Sequence, residues 1–221
     1  MSAQLTLLTS RDIKRFLVVC CSAISLLIVC DVIISSHEAV AQAYCALRQP
    51  HRAQQELFPT SNALETFTKQ VQRAHRETIQ AKLNFTIHED ELGLHTLYAV
   101  FKETDGAREH LGYIHVRSEQ GEWGLIEIAW ALYPDLTVKD FIFQRCREMS
   151  RDELESPAFK SFLHKKSSES LRALLNVKGD QLNKPLPHLS EDAQELGFRI
   201  LRSGLKTILV TRSVWPKVST P

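Results

Sequence analysis

The first hydrophobic pattern along the chain is an apolar run from Phe16 to Ile34, nineteen residues broken only by Asp31. That length is close to the roughly 20 residues a helix needs to cross a bilayer. Arg11, Lys14 and Arg15 precede it, so this flank is expected to stay cytoplasmic and the remainder to be translocated. Ala39-x-Ala41 then offers a signal-peptidase site. Two outcomes stay open. A cleaved signal peptide, favoured by Asp31, would release a domain starting near Gln42; an uncleaved signal anchor, favoured by the long run, would leave a single-pass protein. Both place the domain outside the cytoplasm, at the cell membrane or in the periplasm.

After residues 1–41 the pattern changes. Residues 42–56 read as a helical linker, and Pro59 should end the helix that leads into it. From Ser61 to about Lys82 the apolar positions Leu64, Phe67, Val71, Ala74 and Ile79 approximate one face of a helix. Four strands follow, over Thr96–Phe101, Leu111–Arg117, Trp123–Leu132 and Val138–Arg145. Thr104-Asp105-Gly106, Gln120-Gly121 and Pro134-Asp135 supply the turns between them. Such short connections imply antiparallel hairpins and exclude βαβ crossovers. Helices then return: one opened by Ser156-Pro157, a short one over Ser168–Leu175, and a long one from Ser190 to Val210. Ser190 is a suitable N-cap, with Glu191 and Asp192 in the first turn. The expected fold is α+β, an antiparallel sheet flanked by helices and preceded by one N-terminal hydrophobic helix. Its domain covers residues 57–210, and residues 211–221 form a loose tail.

Charge adds little to this picture. Lys+Arg number 27 against 26 Asp+Glu, so no basic field favours nucleic acid. The cationic series Arg199, Arg202, Lys206 and Arg212 reads as the wet side of the last helix. Of five cysteines only Cys45 and Cys146 lie outside the apolar run, too few for a disulfide framework and at no zinc spacing. His88 with Glu89, Asp90 and Glu91 reads as a solvated acidic turn, and His110 and His115 as positions on or beside a half-buried strand. No nucleophile–base pair, nucleotide fingerprint or haem motif is visible, so nothing supports a hydrolase.

Several fragments, in order, carry a family pattern: Leu57-Phe58-Pro59, Leu111-Gly112-Tyr113-Ile114, Gly121-x-x-Gly124-Leu-Ile-Glu-Ile128, Arg147-Glu148, and Ser156-Pro157-Ala158-Phe159 with Phe162. Together they resemble the FMN-binding domain of the C subunit of sodium-pumping NADH:quinone reductase, the G subunit of the Rnf complex and the membrane regulator of nitrous-oxide respiration. The resemblance implies an electron-transfer flavoprotein at a membrane, in or near a respiratory complex. It also implies a Ser-Gly-Ala-Thr sequence at the head of the last helix, whose threonine carries FMN through a phosphodiester bond. Here that stretch reads Ser190-Glu191-Asp192-Ala193, and the family's second element is reduced to Glu148-Met149-Ser150-Arg151.

The intact motif works because a helix N-terminus offers unpaired N–H groups to an anion and glycine lets the phosphate come close. Without acceptor and glycine, covalent attachment is not expected. Two functions follow: non-covalent FMN binding with Ser190, Arg147 and Glu148 as cofactor neighbours, or a cofactor-free relic of the domain serving as an assembly or sensory module.

Overall fold

A computed structural model of the chain describes residues 50–216. Among them, five strands form one antiparallel meander in the order β1-β2-β3-β4-β5: β1 Ala63–Val71, β2 Gly93–Thr104, β3 Ala107–Gly121, β4 Gly124–Leu132 and β5 Val138–Arg145. The helices are α1 His51–Leu57, α2 Arg73–Gln80, α3 Arg151–Leu154, α4 Pro157–Leu163, α5 Ser168–Arg172 and α6 Gln194–Val214. Short 3-10 turns occupy Glu89–Glu91 and Glu191–Ala193. The fold is α+β, and the sheet is antiparallel throughout. No described helix is long and apolar enough to cross a membrane; the run Phe16–Ile34 lies outside the described residues.

Local chemistry accounts for the hairpins. Asp105 and Gly106 both take positive φ, 45° and 84°, as a two-residue turn between twisted strands requires. Between β4 and β5 the Asp135 carboxylate accepts from the backbone N–H and the hydroxyl of Thr137. The outer edge of β5 is covered in turn: Lys165 N–H donates to the Val138 carbonyl, and Val138 N–H to that of Lys166. Gly112 stands at φ +146°, where an added Cβ would lie 2.2 Å from the Leu132 carbonyl oxygen. β3 and β4 therefore pair here only around a glycine.

The sheet is buried on both faces. Leu97, Ala99, Tyr113, Ile128, Trp130, Leu132, Phe141 and Phe143 face one core, closed by α6. Val100, Ile114, Val116, Ala129, Ala131 and Ile142 face a second, to which Ala53, Leu57 and Phe58 contribute. Helix α6 comes close because Gly204 faces the indole of Trp130, and Trp130 Nε1–H donates to Ser203 Oγ at 3.1 Å.

Three sequence expectations change. The helix expected over Ser61–Lys82 is instead strand β1 followed by the short α2. Thr66 and Thr68 are strand residues, and Leu64, Phe67 and Val71 only mimic a helical spacing. The tail expected to loosen at Thr211 is helical to Val214, because Thr211, Val214 and Trp215 are buried beneath the sheet. Lys206 is not on the wet side of α6: it is 5% exposed and ion-paired. Residues 42–49 of the linker and Cys45 lie outside the described residues; α1, its described end, packs into the second core.

Candidate functional site

The tip of the β3–β4 hairpin, the segment after β5 and the entry to α6 meet at a cleft of about 560 Å³. Glu148 is fixed there by accepting from the backbone N–H of Trp123 at 3.2 Å. The Trp123 ring itself is 59% exposed at the margin, beside Met149. Ser190 lines the same cleft, so two of the three expected cofactor neighbours share one site. Arg147 does not line it and points to solvent.

At the entry to α6 the protein supplies its own anion. Glu153 Oε2 accepts from the Ser190 backbone N–H at 2.7 Å, and Glu153 Oε1 accepts from the Ser190 hydroxyl at 2.8 Å. The side chain of Ser190 is thereby turned away from the N-cap role expected of it. Hydrogen bonds from the Ser190 amide and then its hydroxyl hold the Glu153 carboxyl below its usual range. Glu122, Glu148, Asp192 and Glu195 stand around it. The cation lining the cleft, Arg199, is engaged by Glu195 at 2.9 Å and by the Gln120 carbonyl at 2.6 Å. A phosphate dianion placed here would compete with a carboxylate for both donors and face several more carboxylates, so these residues do not fit the phosphate of FMN.

A second polar group, invisible to sequence reasoning, lies between the sheet and α6. Lys206 Nζ reaches Glu91 and Glu119 at 2.7 Å each, and Arg117, 2% exposed, donates to Glu91 at 2.6 Å. Burial alone would raise the Glu91 carboxyl, but Lys206 and Arg117 pull it below its ordinary value. Glu91 belongs to the stretch expected to be a solvated turn, and its partner on α6 is far along the chain. The one local sign that could have pointed to it is the presence of Arg117 and Glu119 at the end of an otherwise apolar strand.

Beside these charges runs a chain of neutral donors. His95 Nε2 lies 3.0 Å from the Glu91 carbonyl oxygen, so that nitrogen carries the proton. His95 Nδ1 then accepts from His115 Nε2–H at 3.3 Å, and His115 Nδ1 accepts from the Thr211 hydroxyl at 2.9 Å. Burial, then the Arg117 charge, pushes the His95 imidazole down to about 4. Burial, then His95 and Arg117, holds His115 well below its ordinary value. This arrangement joins β2, β3 and α6 and is structural. Among the described residues no group of three or more His, Cys, Asp or Glu side chains could hold a metal ion.

No family model matches this chain and no curated protein matches it, so the resemblance to FMN-binding domains rests on the motifs quoted above alone.

Proposed function

We propose that this protein is a membrane-associated, extracytoplasmic module with the framework of an FMN-binding domain that works without the flavin, as an assembly or sensory part of a membrane complex. The observation that carries the reading is the Glu153 carboxylate on both donors of Ser190. Where the resemblance implies a phosphate, the chain has placed a carboxylate of its own. Glu191 and Asp192 replace the glycine and alanine that let a phosphate approach. A fold can persist after its cofactor is lost, because its stability resides in the cores and its function in the site.

Purification of the full chain from membranes tests the proposal. Its absorbance spectrum should lack flavin bands, its intact mass should carry no FMN adduct, and added FMN should keep its full fluorescence. A membrane respiratory complex should co-purify with it. Stoichiometric flavin in the isolated protein would overturn the reading.

A non-covalent FMN-binding electron carrier is the second reading. One observation favours it: Glu148 and Ser190 share a cleft of about 560 Å³ with an exposed tryptophan, on which an isoalloxazine ring could stack. Quenching of FMN fluorescence that is lost in Trp123→Ala would support it over the first.

A further inference from the structure

A second cleft, about 360 Å³, opens between the end of β3, the turn at Glu89–Glu91 and α6. Its floor is the paired group just described. Glu91 and Glu119 are neutralised there by Lys206 and by Arg117 behind them. Arg199 is matched by Glu195. Among the charged side chains lining the cleft, this leaves the Arg202 guanidinium without a carboxylate.

Arg202 is nonetheless held in place. Its guanidinium carbon lies 4.1 Å from the centroid of Phe85 and 5.4 Å from that of Phe198. Stacking against two rings orients the planar fork, and among the described residues nothing accepts from its N–H groups, the geometry that suits two-point binding of an oxyanion. Behind the floor, Nε and Nη1 of the buried Arg117 make no hydrogen bond among the described residues. Lys206 and Arg117 thus balance the two carboxylates of the lining in charge. Thr86 and Gln120 add neutral polar groups to the walls.

We propose that this cleft binds a small oxyanion, a carboxylate or a phosphate group, on the fork of Arg202. The site shares Arg199 with the cleft at Ser190, but Arg202 lines only this one, and neither reading of that cleft bears on it.

The test is thermal unfolding of the full chain in detergent, titrated with inorganic phosphate or with succinate and compared with chloride at equal ionic strength. The melting temperature should rise with at least one of the two anions and not with chloride; the more potent anion identifies the head group. Arg202→Gln should weaken the effect at least tenfold. Should that variant fail to fold, Arg202→Lys, which keeps the charge and loses the fork, should weaken it at least threefold. A melting temperature indifferent to both anions, or an undiminished rise in either variant, overturns the proposal.

Discussion

The coupled pair His95 and His115 makes stability depend on pH in a calculable way. Both rings are buried and neutral, with tautomers fixed in sequence by the Glu91 carbonyl and the Thr211 hydroxyl. A proton added to His95 would sit on Nδ1 and set N–H against N–H across the 3.3 Å contact; one added to His115 would sit on Nδ1, where it displaces the bond donated by Thr211, and both rings lie close to the Arg117 charge. The groups facing them are Glu91 from the turn before β2, Arg117 from β3, and Thr211 and Trp215 from α6 and its end.

The unfolded chain has no such restriction and takes up protons below the ordinary histidine value of about 6.5. Because the folded values are depressed, this contribution is fully retained above that point and is lost as pH falls towards about 4 for His95. Each pH unit costs about 1.4 kcal/mol, so at pH 5 His95 alone costs about 2 kcal/mol, and His115, lowered by burial, adds to the loss in the same direction.

Urea unfolding followed by tryptophan fluorescence at pH 7.5 and pH 5 measures this loss, since Trp215 packs edge-on against His115. The double variant His95→Gln/His115→Gln should start less stable but lose most of the pH dependence in that interval. A residual slope from His110, which burial also lowers, would remain. Refutation is plain: a wild-type loss under about 1 kcal/mol over that interval, or a double variant as pH-sensitive as the parent.

Three further outcomes are expected. Lys206→Met leaves two mostly covered carboxylates, 11% and 13% exposed, against Arg117 alone and should cost about 3 kcal/mol in urea unfolding. Gly204→Ala would usually stabilise a helix by about 1 kcal/mol, but its Cβ would stand 2.8 Å from the buried Trp130 ring. Overpacking costs about 1–3 kcal/mol, so the net change should be destabilising, and a gain in the urea midpoint would refute the close approach. Glu153→Ala frees both donors of Ser190; amide exchange at Ser190 should accelerate while the global melting temperature changes little.

The four strands from Gly93 to Arg145 were legible because short runs rich in aliphatic and aromatic residues are bounded by turns with Asp-Gly, Gly and Pro-Asp chemistry. β1 was not. As an edge strand it is only half-buried, so its alternation is diluted, and three apolar residues fell by coincidence on a helical stripe. The meeting of Glu148 and Ser190 followed from the order of motifs. What local pattern could not reveal was pairing at a distance. Lys206 and Arg202 occupy the same polar register of α6, yet one is buried between carboxylates and the other lies against aromatic rings. That difference is decided by β3, by Phe85 and by the turn before β2.

The carboxylate clasp of Glu153 on Ser190 has a consequence for maturation. A domain whose last helix is closed by a prosthetic group must be charged with that group before it is complete. Here the closing piece is encoded a few dozen residues upstream and arrives with the chain itself. The helix entrance is finished as soon as the polypeptide has folded, whatever small molecules surround it.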